Sequence, residues 1–217
     1  MARKTKQDAE KTYLALLDAA ADLFLQKGTS RTTLQEIAAH AGLTRGAIYW
    51  HFKGKDEIVR QIWEAHAQSH HDRFISTLCN LPDEGAARIF RELLHDILSI
   101  TVNDHRAGRA ISIVLHIVEF TTEETELQHY LGKRHDDFVS AMITACRFLQ
   151  GKHALKAGIP PELAAKGTLC YVFGLVNQYL SPHPFADLKL EGEELLDTYL
   201  DAVLAADAAA APISRSN

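Results

Sequence analysis

Apolar residues recur at spacings of three and four along this 217-residue chain, and no stretch alternates convincingly at period two. That pattern leaves room for helices and little else, so the chain is expected to be all-α. The longest apolar runs fall far short of the ~18 residues a membrane span needs. The basic opening, MARKTKQDAEK, leads into no apolar signal core, so a cytoplasmic address is expected by elimination. Three widely spaced cysteines, Cys79, Cys146 and Cys170, form no CxxC pair, and buried free thiols are expected.

The breaks in the periodicity give the plan. A first helix is expected from about Asp8 to Lys27, stopped by Gly28. Thr33 followed three residues later by Glu36 is a capping box, opening a short helix that ends at Gly42. Thr44 then caps a third helix. Helix, short helix, glycine turn and short helix outline a helix-turn-helix. A single long helix is expected from 55 to about 79. Further helices are expected at about 84–102, 106–118, 122–150, 161–180 and 190–206. The tail, AADAAAAPISRSN, is small and polar.

The net charge of −5 hides a division. Residues 1–60 hold ten Lys/Arg against seven Asp/Glu, and the rest hold thirteen against twenty-one. A basic head on an acidic body points to an anionic partner for the head. The segment LTRGAIYWHFKGK sharpens this reading. On a helix beginning after Thr44, Ala47, Ile48 and Phe52 share an inner face, while Arg45, Tyr49 and Trp50 point more nearly outward. Gly46 costs about 1 kcal/mol of helix propensity, which close backbone approach to a phosphate or base edge would explain. Arg45 suits guanine, Tyr49 a phosphate, and Lys55 a phosphate at the next helix start. Trp50 and His51 fit either a DNA contact or a prop between head and body.

The stretch TTLQEIAAHAGLTRGAIYWHFKGKDEI resembles the DNA-binding head of TetR-family transcriptional regulators. MARKTK and TRGAIYWHFK are similar to the AcrR-type branch, local repressors of multidrug efflux operons. HIVEFTTE, GLVNQYL and FADLKL resemble that branch more weakly. The resemblance implies a three-helix DNA-binding head at residues 1–55, a ligand-binding and dimerisation bundle at 56–206, and a flexible tail at 207–217. It implies a homodimer formed through the last two long helices, reading a palindromic double-stranded operator and released from it by a small amphipathic effector. The DNA-binding set it implies is Thr33, Thr44, Arg45, Gly46, Tyr49, Trp50, His51 and Lys55. For the effector, the polar and aromatic candidates in the body are Trp63, His66, His70, His116, Glu119, Phe120, Asn177 and Gln178. Two departures stand out: Ala67 where an acidic residue is frequent, and Ile117-Val118 where a lysine-cysteine pair is.

Two other readings start from the same residues. His66 and His70 lie one helical turn apart, a spacing that can chelate zinc, with Asp72, Asp104 or Asp137 as further ligands; a metal-responsive regulator is the alternative. An all-helical metal-dependent enzyme is the other. No HExxH, GxSxG or glycine-rich phosphate loop accompanies either, so no catalytic residue, metal ligand or cofactor is assigned.

Overall fold

The computed structural model describes residues 2–117, 125–181, 183, 184 and 187–205, with side chains from residue 7 onward and Ile117 excepted. It is all-helical. α1 runs Ala2–Lys27, α2 Leu34–His40, α3 Arg45–His51, α4 Lys55–His66, α5 Gln68–Cys79 and α6 Ala86–Asn103. α7 is His105–Ser112, followed by a π-helical turn at Ile113–Ile117; then come α8 Glu126–Gly151, α9 Pro161–Leu180 and α10 Gly192–Val203. The one β feature among the described residues is an isolated bridge between Leu155 and Leu204. No described helix is long and apolar enough to cross a membrane.

The described residues form two compact units. One holds Met1–Ser69 with His105–Leu131, the other His70–Asp104 with Gly132–Asn217. The first is built around Leu16, Leu17, Ala20 and Phe24 of α1, on which Ile37, Ile48, Phe52, Ile58 and Ile62 pack. α7 and the π turn contact α1 and α4 within it. In the second, Arg91 of α6, largely buried, donates to Asp197 at 2.5 Å and Asp201 at 2.6 Å on α10, and His95 reaches Asp197 at 2.9 Å. Tyr171 and Tyr199 stack at 4.4 Å, and the Tyr199 hydroxyl lies 2.8 Å from where a Cβ on Gly167 would stand. A side chain at 167 would have to displace that hydroxyl.

Four expectations need correction. α1 begins at Ala2, six residues before Asp8. The helix expected from 55 to 79 is interrupted at Ala67, whose φ of −121° leaves helical geometry while its N–H still bonds Trp63 O at 2.8 Å. Ala67 is 3% exposed and packs in the core at the break, with no proline or glycine to signal it. Cys146 is buried, and burial pushes its thiol up to about 12, but Cys79 and Cys170 are exposed. The last helix stops at Val203, three residues early, because Lys156 N–H bonds Val203 O at 2.9 Å and Ala205 N–H bonds Ala154 O at 2.9 Å.

The start of α2 carries a pH dependence. Lys27 donates to Glu36 at 2.5 Å, and Thr33 N–H donates to the other Glu36 oxygen at 2.8 Å. The Lys27 hydrogen bond, then those from Thr33, hold the Glu36 carboxyl down to about 2 from its ordinary 4.5. A carboxyl lowered on folding stabilises the fold above its ordinary value and loses that contribution as pH falls. The protection of α2 amides, taken relative to the intrinsic exchange rate at each pH, is therefore expected to fall as pH drops from 4.5 toward 2. Glu36→Gln is expected to remove that added dependence; an unchanged profile in the variant would contradict the assignment.

Candidate nucleic-acid interface

The loop into the interface is closed from inside. Gly28, at φ +85°, ends α1 with its N–H on Phe24 O at 2.8 Å, a conformation that favours glycine. The buried Thr32 hydroxyl donates to Gly28 O at 2.7 Å. Lys55 Nζ, at the start of α4, donates to Thr29 O at 2.6 Å. The ammonium expected on a phosphate therefore spends part of its donor capacity tying α4 to this loop.

Gly42, at φ +69°, makes the turn between the two short helices, and Leu43 N–H bonds Ala38 O at 2.8 Å. The two capping threonines are used differently. The Thr33 hydroxyl donates to Glu36 Oε2 at 2.8 Å and accepts from Glu36 N–H at 3.2 Å. The Thr44 hydroxyl accepts from Ala47 N–H at 3.3 Å, which leaves its own proton outside that cap. Thr44 is the better placed of the two to donate to a phosphate.

α3 is held from behind by Ile48, fully buried, and Phe52, which is 2% exposed. Tyr13 of α1 stacks on Phe52 at 5.5 Å and donates to Gln61 Oε1 of α4 at 2.5 Å, joining three helices. Sequence reasoning passed over Tyr13. The signal was its register, one turn before Leu16 and Leu17 on the face that later carries Ala20 and Phe24. Burial of Ile48 and Phe52 turns Arg45, Gly46, Tyr49 and Trp50 to the surface, with Tyr49 50% and Trp50 74% exposed. The Arg45 guanidinium lies 5.4 Å from the Tyr49 ring centroid, one turn along.

His51 stands apart from these. It is half-buried, 5.9 Å from the Tyr13 ring and edge-on to Trp50 at 4.5 Å. Burial lowers its pKa from the ordinary histidine value. Gly46 needs no special φ, and a Cβ there would meet nothing nearer than Thr44 Oγ1 at 3.9 Å. Gly46→Ala is therefore expected to stabilise the free protein by up to about 1 kcal/mol in thermal unfolding. If DNA lies against this backbone, the same change weakens operator binding; a more stable variant with full affinity would remove Gly46 from the interface.

The described body candidates fall in both compact units, Trp63, His66 and His116 in the first and His70, Asn177 and Gln178 in the second. Trp63 packs against the first unit's core. His66 is half-buried at the end of α4, and His70 follows the interruption at Ala67, so they do not share the uninterrupted helical face the chelate reading used. His70 pairs with Asp104 at 3.4 Å, while Asp72 and Asp137 both lie by Arg134, at 3.8 and 3.3 Å. Among the described residues no three His, Cys, Asp or Glu gather as metal ligands do. His116 is exposed on the π turn, Asn177 is exposed and Gln178 half-buried on α9. Glu119 and Phe120 lie outside the described residues. The second unit carries an open groove of about 400 Å³ between α5 and α8, with Ile75 and Cys79 facing Arg134, Ala141 and Thr144; no effector candidate lines it.

Residues 16–62 match the family model described as bacterial regulatory proteins, tetR family. Over 207 residues the chain is 35% identical to the HTH-type transcriptional regulator AcrR of Shigella flexneri, covering 92% of this chain and 94% of that one. Among solved structures, NalD, the secondary repressor of the MexAB-OprM multidrug efflux pump in Pseudomonas aeruginosa, is 28% identical with a TM-score of 0.68, covering 92% of this chain and 99% of its own. The triclosan complex of SmeT, a repressor of a Stenotrophomonas maltophilia efflux pump, is 26% identical with a TM-score of 0.76, covering 94% and 100%.

Proposed function

The chain belongs to the tetR family of bacterial regulatory proteins, and on that premise we propose that it represses a multidrug efflux operon until a small amphipathic molecule releases it. The observation that carries this is the outer face of α3. Arg45, Gly46, Tyr49 and Trp50 are exposed together on a short helix whose other face is anchored by Ile48 and Phe52. Such a helix fits the major groove, where Arg45 reads a base edge and Thr44 and Tyr49 take phosphates. Thr33 and Lys55 add weaker phosphate contacts from partly committed groups. Trp50 and His51 complete the face.

The organisation proposed is a DNA-binding head at 1–55, an effector and dimerisation body at 56–206 and a tail at 207–217. Two chains pair through α9 and α10, whose exposed Leu163, 62% accessible, is an apolar group lacking cover. A two-fold dimer sets the recognition helices roughly 34–36 Å apart, one turn of DNA, which makes a palindrome the natural target. The efflux target rests on what NalD and SmeT repress, and the effector class on SmeT with triclosan. The effector contacts the body through residues among Trp63, His66, His70, His116, Glu119, Phe120, Asn177 and Gln178. Repression and response both take place in the cytoplasm.

To lower operator affinity tenfold the effector must prefer the released state by about 1.4 kcal/mol. An operator shift titrated with amphipathic compounds tests this. At least one is expected to dissociate the complex at concentrations that leave the protein folded; no release across aromatic, phenolic and cationic amphiphiles would remove the effector from the proposal.

A further inference from the structure

α7 stands outside the proposed DNA-binding head but inside the head's compact unit. Arg109 of α7 is largely buried, with 15% of its side chain exposed. Its Nη2 donates to two groups on α1, the Asp18 carbonyl at 2.9 Å and Asp22 Oδ1 at 2.6 Å. Its Nε is buried with no hydrogen-bond partner among the described residues. A guanidinium so placed depends on the Asp22 carboxylate to offset its lost hydration. The second Asp22 oxygen faces His40 Nε2 at 3.5 Å, in the last turn of α2. One carboxylate thus meets α7 on one oxygen and the first helix of the helix-turn-helix on the other. Arg106 adds a bond from α7 to Asp18 at 3.2 Å.

We infer that Arg109, Asp22 and His40 form a positioning relay through which α7 fixes α2, and with it the DNA-reading surface, against α1. Arg109 holds the Asp22 side chain in the rotamer that presents Oδ2 to His40. Without it Asp22, half-exposed, turns freely. The inference deepens the DNA-binding reading, and it assigns a role in operator affinity to residues that touch no DNA.

Bare electrostatics and the relay make opposite forecasts at Asp22. Removing a negative charge from a protein that binds a polyanion should raise affinity. Breaking the relay should lower it. The test is operator affinity near physiological salt for Arg109→Gln, Asp22→Asn and His40→Ala, with amide exchange of α2 measured on the same proteins free of DNA. Each variant is expected to bind about threefold more weakly, the scale of one surface ion pair. Arg109→Gln combined with Asp22→Asn is expected to be no worse than the weaker single, because both break one connection. Exchange in α2 is expected to quicken in Arg109→Gln although residue 109 lies on another helix. Tighter binding by Asp22→Asn, additive losses, or unchanged α2 exchange would overturn the relay. If the wild-type protein shows no operator preference, the DNA reading itself falls, and α2 exchange alone then decides whether the relay exists.

Discussion

Phe52→Ala is expected to destabilise the DNA-binding head by about 3–5 kcal/mol, the usual cost of emptying a buried phenylalanine site. Phe52 is 2% exposed, its N–H closes α3 on Ile48 O at 2.8 Å, and its ring stacks on Tyr13. The loss falls where α1, α3 and α4 meet, so neighbouring side chains cannot close the cavity without moving α3. Set against the 5–15 kcal/mol that holds a typical domain, it is a large fraction. Urea unfolding followed by circular dichroism is expected to show a lowered midpoint, with operator binding lost at the same time. Phe52→Leu keeps most of the volume and is expected to lose much less. A Phe52→Ala protein as stable as the wild type would mean that α3 is not anchored through this ring.

Arg45→Ala is the second large effect, of the opposite kind. Arg45 is exposed, and its one described contact is with the Tyr49 ring, so stability should change little. If the guanidinium reads guanine, operator binding is expected to weaken by about 1–3 kcal/mol while binding to random DNA weakens much less. The measurement is the ratio of the two affinities at one salt concentration. Equal losses on both would reduce Arg45 to a phosphate contact and pass the reading of bases to another side chain.

The head could be read from its residues because its determinants are short-range. Thr33 with Glu36, Gly42 and Thr44 each act within four residues, and each forms the cap or turn its spacing announces. The run of residues after Thr44 divides as a helix must divide it, with Ile48 and Phe52 inward and Arg45, Tyr49 and Trp50 outward. What escaped was set by distant partners. Nothing near Ala67 marks an interruption; burial of its methyl group accompanies it. Lys55 looked free for phosphate because the carbonyl it bonds lies 26 residues earlier. The π turn at Ile113–Ile117 has no composition of its own.

The effector residues were least legible for a related reason. A histidine or asparagine in a helical bundle is recognised by what it faces, and spacing along one helix does not give that. His66 and His70 show the difficulty, since their four-residue separation suggested a chelate and an interrupted helix lies between them. His70 instead has Asp104 at 3.4 Å.

The most direct measurement is genomic footprinting of the purified protein, followed by an electrophoretic shift on the recovered site. A palindrome bound with strong preference over random DNA, beside a transporter operon, is expected, with that preference reduced in Arg45→Ala. Shifts indifferent to sequence, with no enriched site, would contradict the repressor reading.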